Sequence, residues 1–147
     1  MPNPAVIAQI RRNVTGEEYQ EIRELWKTHS IAEDNRDIPG LIATLTPDCI
    51  YELPQTGDRW EGHQGAERFY RSLLGAFPDI HFDLQRIVIG PQGVWEEAEA
   101  SGTHTGHWLT HEPSGRRVTF TVSIFFPWDA ERRKFTGERV FFFGADL

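Results

Sequence analysis

An α+β fold, with helices packed on one face of a curved antiparallel sheet, follows from three features of the 147-residue sequence. Apolar residues recur at helical three- and four-residue steps through the first half of the chain. From Ile80 the period changes to two, and Gly- and Pro-containing turns separate the alternating runs.

The elements can be taken in order. Thr15 and Glu18 make a capping-box pair, and Tyr19, Ile22, Trp26 and His29 follow on one helical face, which predicts a long first helix. The acidic stretch Glu33, Asp34, Asp37 breaks it. Ile38, Leu41, Ile42 and Leu45 predict a short second helix, and Thr46-Pro47-Asp48 predicts a turn after it. Cys49 to Leu53 reads as a short strand ending at Pro54, with Gly57-Asp58 turning the chain toward Trp60. After Gly62 a third helix carries its apolar stripe on Ala66, Phe69, Tyr70, Leu73 and Phe77. Pro78 ends it, because the ring cannot continue the hydrogen-bond ladder. Ile80, Phe82 and Leu84 then alternate with polar neighbours, Gly90-Pro91-Gln92-Gly93 turns the chain, and strands follow over 94–105, 118–126 and 135–143. One domain spanning 1–147 is expected, with 1–14 as a flexible or loosely packed arm.

Composition excludes several functions. Fifteen Lys and Arg against 22 Asp and Glu leave a net charge of −7, which repels a phosphate backbone, so no nucleic-acid partner is expected. No apolar run is long enough to span a bilayer, and no membrane association is expected. The lone Cys49 cannot form an internal disulfide, and polar Asn3, Gln9, Arg11 and Arg12 follow Met1 in place of a leader core, which predicts a cytoplasmic protein. Ten Phe and five Trp provide more aromatic surface than one small core requires, enough to line a cavity or a subunit interface.

Strand parity divides the faces. Val118, Phe120, Val122, Ile124 and Phe126 share one face, as do Val94, Glu96, Ala98, Ala100, Gly102 and His104. The small residues of the second set either leave room for a pocket or admit an aromatic from a helix. The last strand is apolar on both faces apart from Glu138 and Arg139, as in a central strand or one shared with a second subunit.

Five motifs in this order carry a resemblance: Trp60-Glu61-Gly62 before a helix, Ala76-Phe77-Pro78-Asp79 after it, Gly102-Thr103-His104-Thr105-Gly106, Pro113-Ser114-Gly115-Arg116-Arg117-Val118, and an aromatic last strand. Over roughly Tyr19 to Phe143 the chain resembles the SnoaL-like polyketide cyclase branch of the nuclear transport factor 2-like superfamily. The resemblance implies a cone-shaped sheet wrapped around the N-terminal helices, an apolar pocket at its wide end, a homodimer, and enzymes working without metal or organic cofactor. It also implies a pocket histidine at His104. The position of the cyclases' catalytic Asp falls on Ile124, and Glu97 and Glu99 occupy the region of the epoxide hydrolase Arg and Asp pair without the Arg.

A proton-transfer enzyme needs a carboxylate or imidazole in apolar surroundings, where desolvation brings a carboxylate into the working pH range. Glu138, His104 and Glu52 are the catalytic candidates, with Glu96 ranked behind Glu138. Each has an ordinary alternative: Glu138 paired with an Arg, Glu52 on an exposed edge, His104 as a structural histidine, Glu96 at a solvated strand end. Trp26, His29, Tyr51, Phe69, Phe120 and Ile124 are the candidate ligand-binding residues, His29 having a plain helix-to-sheet contact as its alternative. His104, His107 and His111 lack the spacing of a metal set, Cys49 has no activating neighbour, and no phosphate loop or Gly-x-Ser-x-Gly elbow is present. The expectation is acid/base cyclase, isomerase or dehydratase chemistry on an apolar oxygenated small molecule. A non-catalytic binding or dimeric interaction module of the same fold is the alternative.

Overall fold

The computed structural model describes residues 2–147. Helices α1 (Pro4–Arg11), α2 (Gly16–Asp34) and α3 (Ile38–Ile42) precede strands β1 (Leu45–Leu53) and β2 (Asp58–Glu61). Helix α4 (Gly62–Ala76) follows, then four long strands, β3 (His81–Gly90), β4 (Gly93–Thr103), β5 (Arg117–Asp129) and β6 (Lys134–Phe143).

The expected first arm is thus partly a helix, α1, opened by the Asn3 side chain accepting from the Ala5 amide and burying none of its residues. Thr15 caps α2 by accepting from the Glu18 amide at 3.1 Å. The Glu18 carboxylate does not complete a capping box. It accepts two bonds from Arg12 at 2.9 Å and one from the Trp128 indole at 3.0 Å, tying the start of α2 to the sheet. The buried face of α2 is Ile22, His29 and Ala32, whereas Tyr19 is exposed. Glu33 and Asp34 lie inside α2 and do not break it. The turn comes at Arg36, whose positive φ of 56° reverses the chain and whose guanidinium donates to the Pro78 and Ile80 carbonyls.

One six-stranded sheet runs in the order β2-β1-β6-β5-β4-β3, with β6 central. It is antiparallel except between β1 and β6, which pair in parallel. Those two strands are the first long strand and the last, and no hairpin constrains their direction. The predicted turn at Thr46-Pro47-Asp48 is instead part of β1. Pro47 is tolerated because it lies in the irregular stretch between the paired residues Leu45 and Ile50, where its missing N–H breaks no ladder bond.

On β5 strict alternation holds from Val118 to Trp128, with every even-numbered residue buried. These side chains, with Ile22, Leu41, Tyr51, Tyr70, Phe77 and Phe135, form one core between the sheet and helices α2 to α4. The opposite face carries an aromatic row in which Trp95 stacks on Phe125 at 5.2 Å and on Phe141 at 6.5 Å, with Trp95 46% exposed. No helix among the described residues is long and apolar enough to cross a membrane.

Candidate active site

The orientation of Glu138 depends on a β-bulge. On β6, Phe135 faces the core, so strict alternation would turn Arg139 inward and Glu138 outward. The register shifts between Phe125↔Arg139 and Trp128↔Phe135, inserting one extra residue on β6 and reversing its parity. Gly137 occupies the bulge at φ 127°, where an added Cβ would lie 1.8 Å from the Ile50 carbonyl oxygen of β1. Only glycine permits that approach. Glu138 is left 3% exposed in the core, and Arg139 on the outer face.

A buried carboxylate is tolerated only with partners. Tyr70 on α4 donates its hydroxyl to Glu138 Oε2 at 2.6 Å, and His29 Nε2 lies 3.0 Å from the same oxygen. His29 Nδ1 meets Thr44 Oγ1 at 2.8 Å, and Thr44 gives its single proton to the Leu41 carbonyl at 2.7 Å. The Thr44 oxygen therefore accepts, and Nδ1 carries a hydrogen. The proton of Tyr70 being committed to Glu138, Tyr51 donates to the Tyr70 oxygen at 2.8 Å. His29 Nε2 also lies 3.0 Å from the Tyr70 oxygen, so a hydrogen on Nε2 has both that oxygen and the Glu138 carboxylate as acceptors. Burial, reinforced by the charge of Glu138, holds both tyrosine hydroxyls well above their usual range, so they remain donors.

Two further carboxyls approach this pair. Glu33 on α2 and Glu96 on β4 are half-buried. Burial first, then the charge of Glu138, pushes Glu96 from 4.5 up to about 8, with Trp26 acting in the opposite direction. Glu33 is raised well above its ordinary range by burial and by the charges of Glu138 and Glu96.

The free volume around them is divided. A cavity of about 20 Å³ lies among Glu33, Glu138, Phe69, Phe120 and Ile124. Another, of about 30 Å³, lies among Trp26, His29, Ser30, Glu33, Asp34 and Glu96. Each has room for about one water. A larger cavity of about 190 Å³ is lined by Leu53, Phe77 and Trp108 and reaches Ala145 and Leu147 of the C-terminal tail. Leu73, Phe120 and Phe142 line both it and the Glu138 cavity, so they form the partition between them. A wider depression, about 720 Å³, touches none of the three glutamates. Its cations are already engaged, Arg71 by Glu67, Arg132 by Asp48 and Asp129, and Lys134 by the Ala43 carbonyl.

The structure thus brings Glu138 and His29 together, sets Tyr51 behind Tyr70, places Phe69, Phe120 and Ile124 around Glu138, and puts Trp26 beside Glu96. Two catalytic candidates lie elsewhere. Glu52 is on the outer face, because Cys49, Tyr51 and Leu53 take the inner one, and it accepts from Arg139 at 2.5 Å. His104 is buried and stacked on Phe77 with centroids 5.0 Å apart, and Ser114 approaches its Nδ1 at 3.4 Å. No bond links it to Glu138, and its Nε2 has no partner among the described residues. Tyr70, Thr44 and Glu33 are the members that sequence reasoning missed. For Glu33 a signal existed, since the steps from Ile22 through Trp26 and His29 to Glu33 are four, three and four. Burial raises the Cys49 thiol to about 11, so it is un-ionised near neutrality. Among the described residues no three His, Cys, Asp or Glu side chains gather as a metal set.

A model of the SnoaL-like domain matches residues 22–134. The chain belongs to the SnoaL-like domain family. The match spans α2 to the start of β6 and so contains every residue of the buried network except Glu138. Among solved structures, a protein of Jannaschia sp. CCS1 provisionally described as a SnoaL-like polyketide cyclase has a TM-score of 0.77 at 17% identity, over 89% of this chain and 91% of that one. A protein of Kribbella flavida provisionally described as a ketosteroid isomerase has a TM-score of 0.64 at 19% identity, over 88% and 83%. An LEH-like epoxide hydrolase of M. tuberculosis has a TM-score of 0.65 at 22% identity, over 85% and 84%. At such identities the likeness shows the SnoaL-like fold, and the chemistry must be argued from the residues. Comparison with curated protein sequences finds no match.

Proposed function

We propose that this SnoaL-like protein is a cofactor-independent acid/base enzyme that moves a proton on an apolar, oxygenated small molecule, in a cyclase, isomerase or dehydratase reaction. The observation that carries the reading is the meeting of His29 Nε2 and the Tyr70 hydroxyl on one oxygen of the buried Glu138 carboxylate, backed by Thr44 and Tyr51; on this reading His29 and Glu138 share a single proton. The pair is neutral while it holds that proton, and giving it up leaves one negative charge on the Glu138 carboxylate, which the Tyr70 hydroxyl stabilises by its hydrogen bond. The substrate enters the cavity of about 190 Å³ and reaches Glu138 when Phe120 and Phe142 part. A cavity of about 150 Å³ takes up benzene, so the substrate is of one- or two-ring size. Ile124 stands beside Glu138 in the cavity wall, so the proton chemistry falls to Glu138 without help from the position of the cyclase Asp.

The experiment is solvent exchange of α-hydrogens. The protein is incubated in D₂O with cyclohexanone or 2-tetralone, and deuterium incorporation is followed by NMR for wild type and Glu138→Gln. Incorporation that needs Glu138 supports the reading, and equal rates with both proteins reject it. The small inner cavities favour a second reading, a non-catalytic module that binds an apolar ligand in the larger cavity. Binding of 2-tetralone with no incorporation marks that case. In either reading we place the protein in the cytoplasm, where a buried free thiol is at ease, as a homodimer packed through the Trp95, Phe125 and Phe141 row.

A further inference from the structure

The two small cavities have Glu33 and Phe82 as common walls, and the cavity of about 30 Å³ shares no lining residue with the larger one. We propose that Glu33 is a proton carrier between the His29–Glu138 pair and solvent, serving an entrance beside Ser30 and Asp34 that is separate from the substrate's.

This rests on the acid/base reading, to which it adds a route by which the pair is recharged while an apolar molecule blocks the other approach. Glu33 faces Glu138 across one water-sized space and Glu96 and His29 across another. Neither the Glu33 nor the Glu96 carboxyl is tied into a hydrogen bond with His29, Tyr70 or Tyr51; Glu96 accepts from Trp26, and its remaining acceptor sites adjoin the space it shares with Glu33. Asp34 is exposed and Ser30 half-buried, which brings the second space to the surface. The step balances with water alone. Protonated Glu33 gives its hydrogen to the intervening water, that water gives one of its own to the Glu138 carboxylate, and Glu33 regains a proton from solvent through the space it shares with Glu96. Burial and neighbouring negative charge favour the protonated form from which the transfer starts. Arg36 fixes the end of α2 to Pro78 and Ile80, which holds Glu33 in place for both spaces.

Exchange of the His29 ring hydrogens with water, read by NMR on ¹⁵N-histidine-labelled full-length protein without organic ligand, tests the carrier. Glu33→Gln, which keeps shape but not acidity, is expected to slow exchange by roughly a hundredfold. Glu33→Asp restores most of it, which a merely structural role would not produce, and deleting residues 145–147 leaves it unchanged. An unaltered rate in Glu33→Gln overturns the proposal, as does tail deletion that accelerates exchange irrespective of Glu33. Because no substrate is present, this result is independent of the ketone experiment. Failure of exchange to respond leaves Glu138 chemistry standing with its proton from the larger cavity, whereas failure of the ketone experiment leaves the carrier measurable.

Discussion

Replacing Glu96 by glutamine should change how stability depends on pH. In the folded protein burial and Glu138 raise this carboxyl from 4.5 to about 8. The unfolded chain loses the proton near 4.5, so between that pH and about 8 the folded state binds one proton more, and stability falls as pH rises. Each pH unit in the window removes about 1.4 kcal/mol. Below it both states are protonated and above it both are ionised, so the dependence flattens at each end. Glutamine binds no proton in either state. The stability of Glu96→Gln minus that of wild type should therefore climb by about 1.4 kcal/mol per unit from roughly pH 5 to 8. Urea unfolding at several pH values, with m-values checked for constancy, measures the difference. A flat difference, or one that falls with pH, refutes burial as the cause of the shift.

Thr44→Val keeps the volume but leaves the His29 Nδ1 hydrogen without an acceptor, and should destabilise the fold by about 1–3 kcal/mol in denaturant melts. Gly137→Ala drives a Cβ into the Ile50 carbonyl at positive φ, and a loss of about 2–5 kcal/mol is expected in the same assay, with β6 the first strand to lose amide protection. Trp95→Glu puts a charge into the outer aromatic row and should convert a dimer to monomers in analytical ultracentrifugation while leaving the circular dichroism spectrum unchanged.

Periodicity was a sound guide to the fold, since the parity of β5 depends on local alternation and a single buried face, and the switch at Ile80 marks the start of the long strands although β3 itself buries none of its residues. Pro47 was misleading because it reads as a breaker locally, whereas its neighbours in the sheet leave its position unpaired. The outward placement of Glu52 was legible from Cys49, Tyr51 and Leu53, and an exposed Glu52 was the alternative that the sequence offered. The inward turn of Glu138 was less so. It depends on the extra residue at Gly137, which is set by the close passage of β1, a strand more than eighty positions away in sequence. Tyr70 was hidden in an apolar stripe because its ring packs as Phe does while its hydroxyl alone faces Glu138. Glu33 was hidden by its acidic neighbours, although it continues the buried face of α2.

The central claim is that His29 and Glu138 act as one unit on one shared proton. It is tested most directly by α-hydrogen exchange of cyclohexanone or 2-tetralone in D₂O with His29→Gln, Glu138→Gln and the double variant. Groups that share one proton are non-additive, so the double variant should be no slower than the worse single variant. Losses that multiply would mean that the two side chains act separately, and would contradict the account.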